Sequence, residues 1–195
     1  MARWAPNARE RLERAALELF TERGYDATTV ADIADRAGLT KSTFFRHFAD
    51  KREVLFGGQD ILMGAFSGAI LAAPPAATTI DCLTAALAAA AVVFTPGRHD
   101  LGPARRAVVM ANSELQEREL LKRARMAAAM AEALCTRGTD ETTAKLAAEL
   151  GVLAFSTAYA RWAAADNRQP FFEIAHGVLR DLTARAAALG AGASA

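Results

Sequence analysis

Two short helix signals with only Gly38-Leu39 between them constrain this chain more than any other feature. Thr29 followed three residues later by Asp32 is a capping box, in which hydroxyl and carboxylate each take an otherwise orphaned backbone N–H. Val30, Ile33, Ala34 and Ala37 then recur on one face, and Gly38 supplies the left-handed stop. Thr40 caps the next helix at once. It reaches about His47, with Phe44 and Phe48 one turn apart and facing inward. A glycine turn of this length sets two short helices at a steep angle as a helix-turn-helix, whose second helix offers its N-terminal residues to base edges in the major groove.

The rest of the chain reads as helix. From Asn7 to Arg23, Leu12, Ala15, Ala16, Leu19 and Phe20 recur at spacings of three and four, and Gly24 ends that run. Asp50 and Glu53 open a fourth helix, expected over 51–71, which Pro74-Pro75 must terminate because the ring removes a donor and crowds the preceding turn. Further helices are expected at 79–94, at 103–136 in two pieces, at 140–165 and at 170–189. Loops fall at 95–102, 137–139 and 166–170, where Pro, Gly, Asn and Asp gather. With 52% hydrophobic residues, abundant alanine and few strand formers, the fold class is all-α with about nine helices. The expected domains are 1–52, a three-helix helix-turn-helix unit joined through the helix at about 51–71; 53–190, a larger C-terminal helical domain; and 191–195, a disordered tail.

Charge agrees with the motif locally and not globally. The chain carries a net charge of only +1, so its overall balance demands no acidic partner. Between Arg36 and Arg52, however, Arg36, Lys41, Arg46, Lys51 and Arg52 stand against Asp50 alone. The positive charge is concentrated where phosphates would lie.

Gly24-Tyr25, Thr28-Thr29-Val30, Asp32-Ile33-Ala34, Ala37-Gly38-Leu39-Thr40-Lys41, Thr43 and His47-Phe48 to Lys51 together resemble the N-terminal signature of the TetR family of transcriptional regulators. The match covers about residues 9–56 at fixed spacing without gaps. The resemblance implies that Lys41, Ser42, Thr43, Phe45 and Arg46 face the major groove, with Thr29, Thr40, His47 and Lys51 on phosphates. Arg46 has the two parallel donors that suit guanine O6 and N7, and Thr43 or Phe45 can touch a thymine methyl. The family usually has tyrosine at Phe45, whose hydroxyl can donate to a phosphate; phenylalanine cannot.

Downstream the resemblance lies only in length and helicity. Leu146, Leu150, Leu153 and Thr157 share one helical face, and Phe171, Ile174, Val178 and Leu182 another. Such faces need cover. The resemblance implies that these helices meet their copies in a homodimer, with Leu150, Leu153, Thr157, Phe171, Ile174, Val178 and Leu182 at the interface. It also implies an effector pocket, for which Phe66, Phe94, Met110, Met126, Met130, Phe155 and Trp162 are candidates; Met and Ala favour an apolar or amphipathic small molecule. The function expected is a DNA-binding repressor that binds an inverted-repeat operator as a dimer and is released by that effector. A DNA-binding organiser or activator without an effector keeps the motif and discards the pocket.

A helical-bundle metal enzyme is the remote rival. Glu173-Ile174-Ala175-His176 has the Glu-x-x-His spacing of di-iron bundles, but only one copy is present. There is no Gly-x-Ser-x-Gly elbow and no phosphate-binding glycine loop, so no enzyme and no cofactor is expected. Cys82 and Cys135 lack metal-ligand spacing and suit a reducing cytosol. The N-terminus shows no secretory pattern, and the apolar run at 85–94 is well short of a span, so a cytoplasmic protein with no membrane partner is expected.

Overall fold

The computed structural model describes residues 8–95 and 98–191. These form ten helical segments in an all-α fold: α1 (Ala8–Arg23), α2 (Val30–Arg36), α3 (Lys41–His47), α4 (Glu53–Phe56), α5 (Gln59–Ala72), α6 (Thr79–Ala91), α7 (Leu101–Met110), α8 (Ser113–Thr136), α9 (Glu141–Trp162) and α10 (Phe171–Ala191). One of them, α4, is a single turn. The tail expected at 191–195 lies, beyond Ala191, outside the described residues, as do Asn7 and the Pro96-Gly97 part of the 95–102 loop.

The helix expected over 51–71 is two helices. Gly57 donates to the Glu53 carbonyl at 2.6 Å and ends α4, and a side chain there would collide with that same carbonyl. The stretch Glu53–Ala72 is, among the described residues, long and apolar enough by composition to cross a membrane, with mean hydropathy 1.5. Its apolar residues are nonetheless used internally: Val54, Leu55 and Phe56 enter one core, Leu62, Phe66 and Ile70 another. The break expected within 103–136 falls at Ala111-Asn112, where the Asn112 side chain accepts the Leu115 N–H and opens α8.

The contacts divide the chain into two compact units. The first contains the described residues up to Gly58 together with Leu101–Arg118; the second contains Gln59–Asp100 and the described residues from Glu119 onward. The first unit is therefore not the contiguous 1–52 segment: α7 and the start of α8 belong to it. Its core is Leu12, Ala16, Phe20, Ile33, Ala34, Phe44 and Phe48, closed by Leu55, Phe56, Val108, Val109 and Leu115. Gly24 (φ 88°) and Gly38 (φ 63°) hold the two left-handed turns that an L side chain would strain.

In the second unit α10 packs on α9 and α6, and α5 packs on α6. Two kinds of packing fill it. Gly151 lets α9 approach so closely that an added methyl would lie 2.8 Å from Met130 Cε and 3.1 Å from Leu83 Cδ2. Near the C-terminal end of α9, aromatic rings supply the volume instead: Phe94 stacks on Phe171 at 4.2 Å, with Phe155 at 5.8 Å and Trp162 at 5.2 Å from the Phe94 ring. Thr78 and Asp140 cap α6 and α9, the former through a full capping box with Asp81.

This packing corrects the interface expected on α10. Phe171, Ile174 and Val178 form the stripe that α10 buries within its own unit, together with Ala175 and Leu179. Leu182 and Leu150 are half-buried against the same core, and Leu153 stays 50% exposed on α9. The spacing of three and four showed that α10 has an apolar face; it did not say which surface covers it. Phe171→Ala is expected to cost about 3–5 kcal/mol. Thermal melts at several protein concentrations will check this, since a core residue gives the same loss at each, whereas an interface residue gives a loss that varies with concentration.

Candidate nucleic-acid interface

The candidate surface is built by two capped helices and the turn between them. Thr29 accepts the Asp32 N–H at 3.2 Å while the Asp32 carboxylate accepts the Thr29 N–H at 2.8 Å, so the reciprocal box forms at the start of α2. Thr40 accepts the Thr43 N–H at 3.1 Å and opens α3. The Arg11 guanidinium donates to the Ala37 carbonyl and, at 3.4 Å, to that of Gly38, which ties the turn to α1. Phe44 is fully buried and Phe48 nearly so; both anchor α3 from beneath.

With Phe44 inward, about 100° of rotation per residue puts Ser42 and Arg46 on the far side of α3, with Thr43 and Phe45 on its two flanks. Exposure follows that wheel. Lys41, Ser42, Phe45 and Arg46 are exposed, and Thr43 and His47 are half-buried. The ring of Phe45 stands edge-on to Phe44, with centroids 5.6 Å apart and planes at 83°. His47 presents less than its position suggests, because its Nε2 is buried and has no hydrogen-bond partner.

The local surplus of positive charge is largely spent inside the protein. Arg36 pairs with Glu22 through two bonds of 2.9 and 2.8 Å and reaches Glu18 at 3.4 Å. These bonds hold the Glu22 carboxyl below the usual carboxylate range. Arg52 lies between Asp50 at 2.6 Å and Glu114 at 2.8 Å. At Asp50 burial acts to raise the pKa, but hydrogen bonds from Arg52 and from the Glu53 N–H outweigh it and hold the carboxyl low. Arg118 pairs with Glu53, and the Arg105 and Arg118 guanidiniums lie 5.2 and 5.6 Å from the Phe56 ring. Among the described residues, Lys41 and Arg46 form no ion pair or hydrogen bond and stand free on α3.

Lys51 departs most from its expected role. Its ammonium donates to the carbonyls of Tyr25 at 2.8 Å and Thr28 at 3.2 Å, and lies 4.1 Å from the Tyr25 ring centroid. All its donors have close partners on the turn between α1 and α2, so it braces the segment that positions Thr29 instead of offering a free cation to phosphate. Spacing alone could not find this, because the bond joins residues 26 apart in sequence.

The pocket candidates separate. Phe66, Phe94, Phe155 and Trp162 meet in one aromatic cluster of the second unit, joined by Phe171 and Tyr159, which sequence reasoning had not placed there. Met126 and Met130 are buried in the same core. Met110 is not among them: it ends α7 in the first unit and is 62% exposed. His99 Nε2 meets the Trp162 carbonyl at 2.8 Å and its ring lies edge-on to Trp162. On α10 Glu173 is exposed and His176 stacks on Phe172 at 5.7 Å; among the described residues no three metal-ligating side chains gather.

Two measurements test this geometry. Lys51→Met should lower stability by about 1.5–3 kcal/mol, the worth of hydrogen bonds from a charged donor, as read by urea unfolding. The buried Tyr25 hydroxyl is pushed up to about 12, mainly by burial and further by Glu114. An unfolded tyrosine titrates near 10. The folded state therefore holds this proton more tightly, and its stability is expected to be intact below pH ~10 and to fall as pH rises toward 12, measurable by unfolding alongside phenolate absorbance.

Residues 13–56 match the family model described as bacterial regulatory proteins, tetR family. TcmR, an HTH-type transcriptional regulator of Streptomyces glaucescens, is 38% identical over 81 residues, which is 42% of this chain and 36% of that protein. The HTH-type transcriptional repressor KstR2 of Mycobacterium tuberculosis is 52% identical over 46 residues, 24% of this chain and 22% of that one. The matched stretches thus span about a third or less of these curated relatives. The crystal structure of the transcriptional regulator FadR from Bacillus subtilis, in complex with stearoyl-CoA, superposes with a TM-score of 0.58 over 89% of this chain and 96% of that one, at 20% identity, a likeness of fold. Residues 13–56 thus match the helix-turn-helix of the tetR family of bacterial regulatory proteins, and the all-helical fold is similar to that of the Bacillus subtilis regulator along nearly the whole length.

Proposed function

We propose that the protein is a DNA-binding transcriptional repressor that reads an inverted-repeat operator as a homodimer and releases it when a small apolar or amphipathic effector binds the second unit. The observation that carries the reading is α3 itself: a capped, rigidly supported helix whose outer face holds Ser42, Phe45 and the unpaired cations Lys41 and Arg46. Arg46 is the base reader, bidentate to a guanine, and Lys41 a phosphate or guanine contact. Thr29 and Thr40 sit at helix starts, where backbone N–H groups and hydroxyls favour a phosphate oxygen. Both hydroxyls already serve as caps: that of Thr29 donates to Asp32 Oδ2 at 2.6 Å, and that of Thr40 lies 3.0 Å from Thr43 Oγ1, where either hydroxyl can be the donor.

For the homodimer, the support shifts from α10 to α9. Leu146, Leu150, Leu153 and Thr157 continue at spacings of four, three and four, and Leu146 and Leu153 are 72% and 50% exposed. That is a seam of the kind helices bury against each other. For the effector, the aromatic cluster around Phe94 is the candidate site, and the stearoyl-CoA bound by the Bacillus subtilis neighbour is an amphipathic ligand of the expected kind. Cytoplasmic residence follows from the proposed work on DNA.

Gel shifts with duplexes flanking the gene, across salt concentrations, test the reading. Arg46→Ala should weaken binding by about 1–3 kcal/mol and relax the preference at one base pair per half-site. Lys41→Ala, if on a phosphate, should reduce the slope of log K against log salt by about 0.9 per subunit and leave sequence preference unchanged. Failure to bind any selected duplex would sink the proposal.

A further inference from the structure

Phe45 is a large apolar side chain, 51% exposed, on the outer half of a helix otherwise dressed with Lys41, Ser42 and Arg46. Among the described residues its ring contact is with Phe44, and half of its surface stays open. Its ring is not loose: it stands edge-on to Phe44, which is fully buried, so the ring rests on a rigid support and presents its outer edge at a fixed place beside Arg46. We propose that Phe45 is a specificity-determining residue that recognises the C5-methyl group of a pyrimidine in the major groove, thymine or equally 5-methylcytosine. The proposal rests on the DNA-binding reading above.

The chemistry narrows the choice. A phenyl ring neither donates nor accepts a hydrogen bond, so it gains nothing from a phosphate oxygen or from the donors and acceptors of base edges. Among the four base-pair edges in the major groove the one apolar group is the thymine methyl. The other candidate for that methyl, Thr43, lies on the opposite flank of α3, half-buried, with its hydroxyl 3.0 Å from Thr40 Oγ1 in the helix cap. Phe45 offers the larger exposed apolar surface of the two. Cytosine methylated at C5 carries the same methyl at the same ring position. The side chain therefore treats 5-methylcytosine as it treats thymine at that contact, and unmodified cytosine as lacking it.

The test begins from any duplex the protein binds. Each thymidine of a half-site is replaced in turn by deoxyuridine, which removes the methyl and nothing else. One position per half-site is expected to lose about fourfold in affinity, the worth of one buried methyl group. Phe45→Ala should bind more weakly and be indifferent to deoxyuridine at that position, and Phe45→Leu should retain part of the sensitivity. With a C·G pair placed there, methylating the cytosine should restore about the same factor for the unaltered protein and none for Phe45→Ala. The proposal is overturned if no thymidine in the site is sensitive, or if Phe45→Ala keeps the full sensitivity. The first of these results needs no variant, so a poorly folding variant cannot mask it. Absence of binding to every duplex at every salt concentration is a different outcome: the DNA-binding reading itself then falls, and this role with it.

Discussion

A helix of seven residues does not hold itself together in water, because the nucleating turn costs more than so few hydrogen bonds return. The α3 helix exists because Phe44 and Phe48 are buried among Leu12, Ala16, Phe20, Ile33 and Ala34, and because Thr40 satisfies its first turn. Everything the candidate surface can do follows from that anchorage. Once Phe44 points inward, the helical repeat leaves Ser42 and Arg46 outermost and Phe45 on one flank. Gly38 contributes the other constraint. Its φ of 63° sets the angle at which α3 leaves α2, and Arg11 fixes the carbonyls on either side of that turn.

Electrostatics refine this surface by subtraction. A count along the sequence gives a surplus of four positive charges between Arg36 and Arg52. In the folded unit Arg36 is matched by Glu18 and Glu22, Arg52 by Asp50 and Glu114, and Lys51 lies on backbone carbonyls. The exposed pairs add little to stability, since water and salt screen them. Their effect is to hold α1, α2 and the start of α8 in fixed register, while on α3 Lys41 and Arg46 have no internal partner among the described residues. The exposed face of α3 therefore carries two unpaired charges on a helix anchored by Phe44 and Phe48.

The parts of this architecture that were legible in the sequence are those written locally. Thr29 with Asp32, Thr40, Gly24 and Gly38 each fix a helix end through atoms within a few residues, and all four are found where the spacing puts them. Phe44 and Phe48 could be assigned to the core for the same reason. What escaped depends on contacts far apart in sequence. Lys51 is drawn to the Tyr25 carbonyl, Met110 ends in the first unit because α7 packs beside α1, and α10 turns Phe171, Ile174 and Val178 toward its own core. An amphipathic stripe states that a face will be covered, and is silent on whether the cover belongs to the same chain. The break at Gly57-Gly58 is intermediate: two adjacent glycines stood in the sequence, but a helical pattern tolerates glycine, and only the Glu53 carbonyl 2.6 Å from the Gly57 N–H shows the helix closing there.

The second unit divides by side-chain size, and the division bears on where an effector could act. At Gly151 the helices meet through a glycine, with Met130 and Leu83 closing over it, so this region has no volume to yield. At the other extreme the rings of Phe155, Tyr159, Trp162 and Phe171 surround Phe94, which lies on the non-helical segment after α6 and is only partly buried. Its N–H donates to the Ala91 carbonyl at 3.0 Å, a turn bond beyond the end of α6. A ring on such a segment can give way at less cost than one fixed in a helix. The proposed effector would therefore enter among the aromatic rings, by displacing Phe94, and leave the alanine-rich contacts of α6, α8 and α9 as they are. The same large-to-small contrast that packs the unit would then confine its deformability to one end.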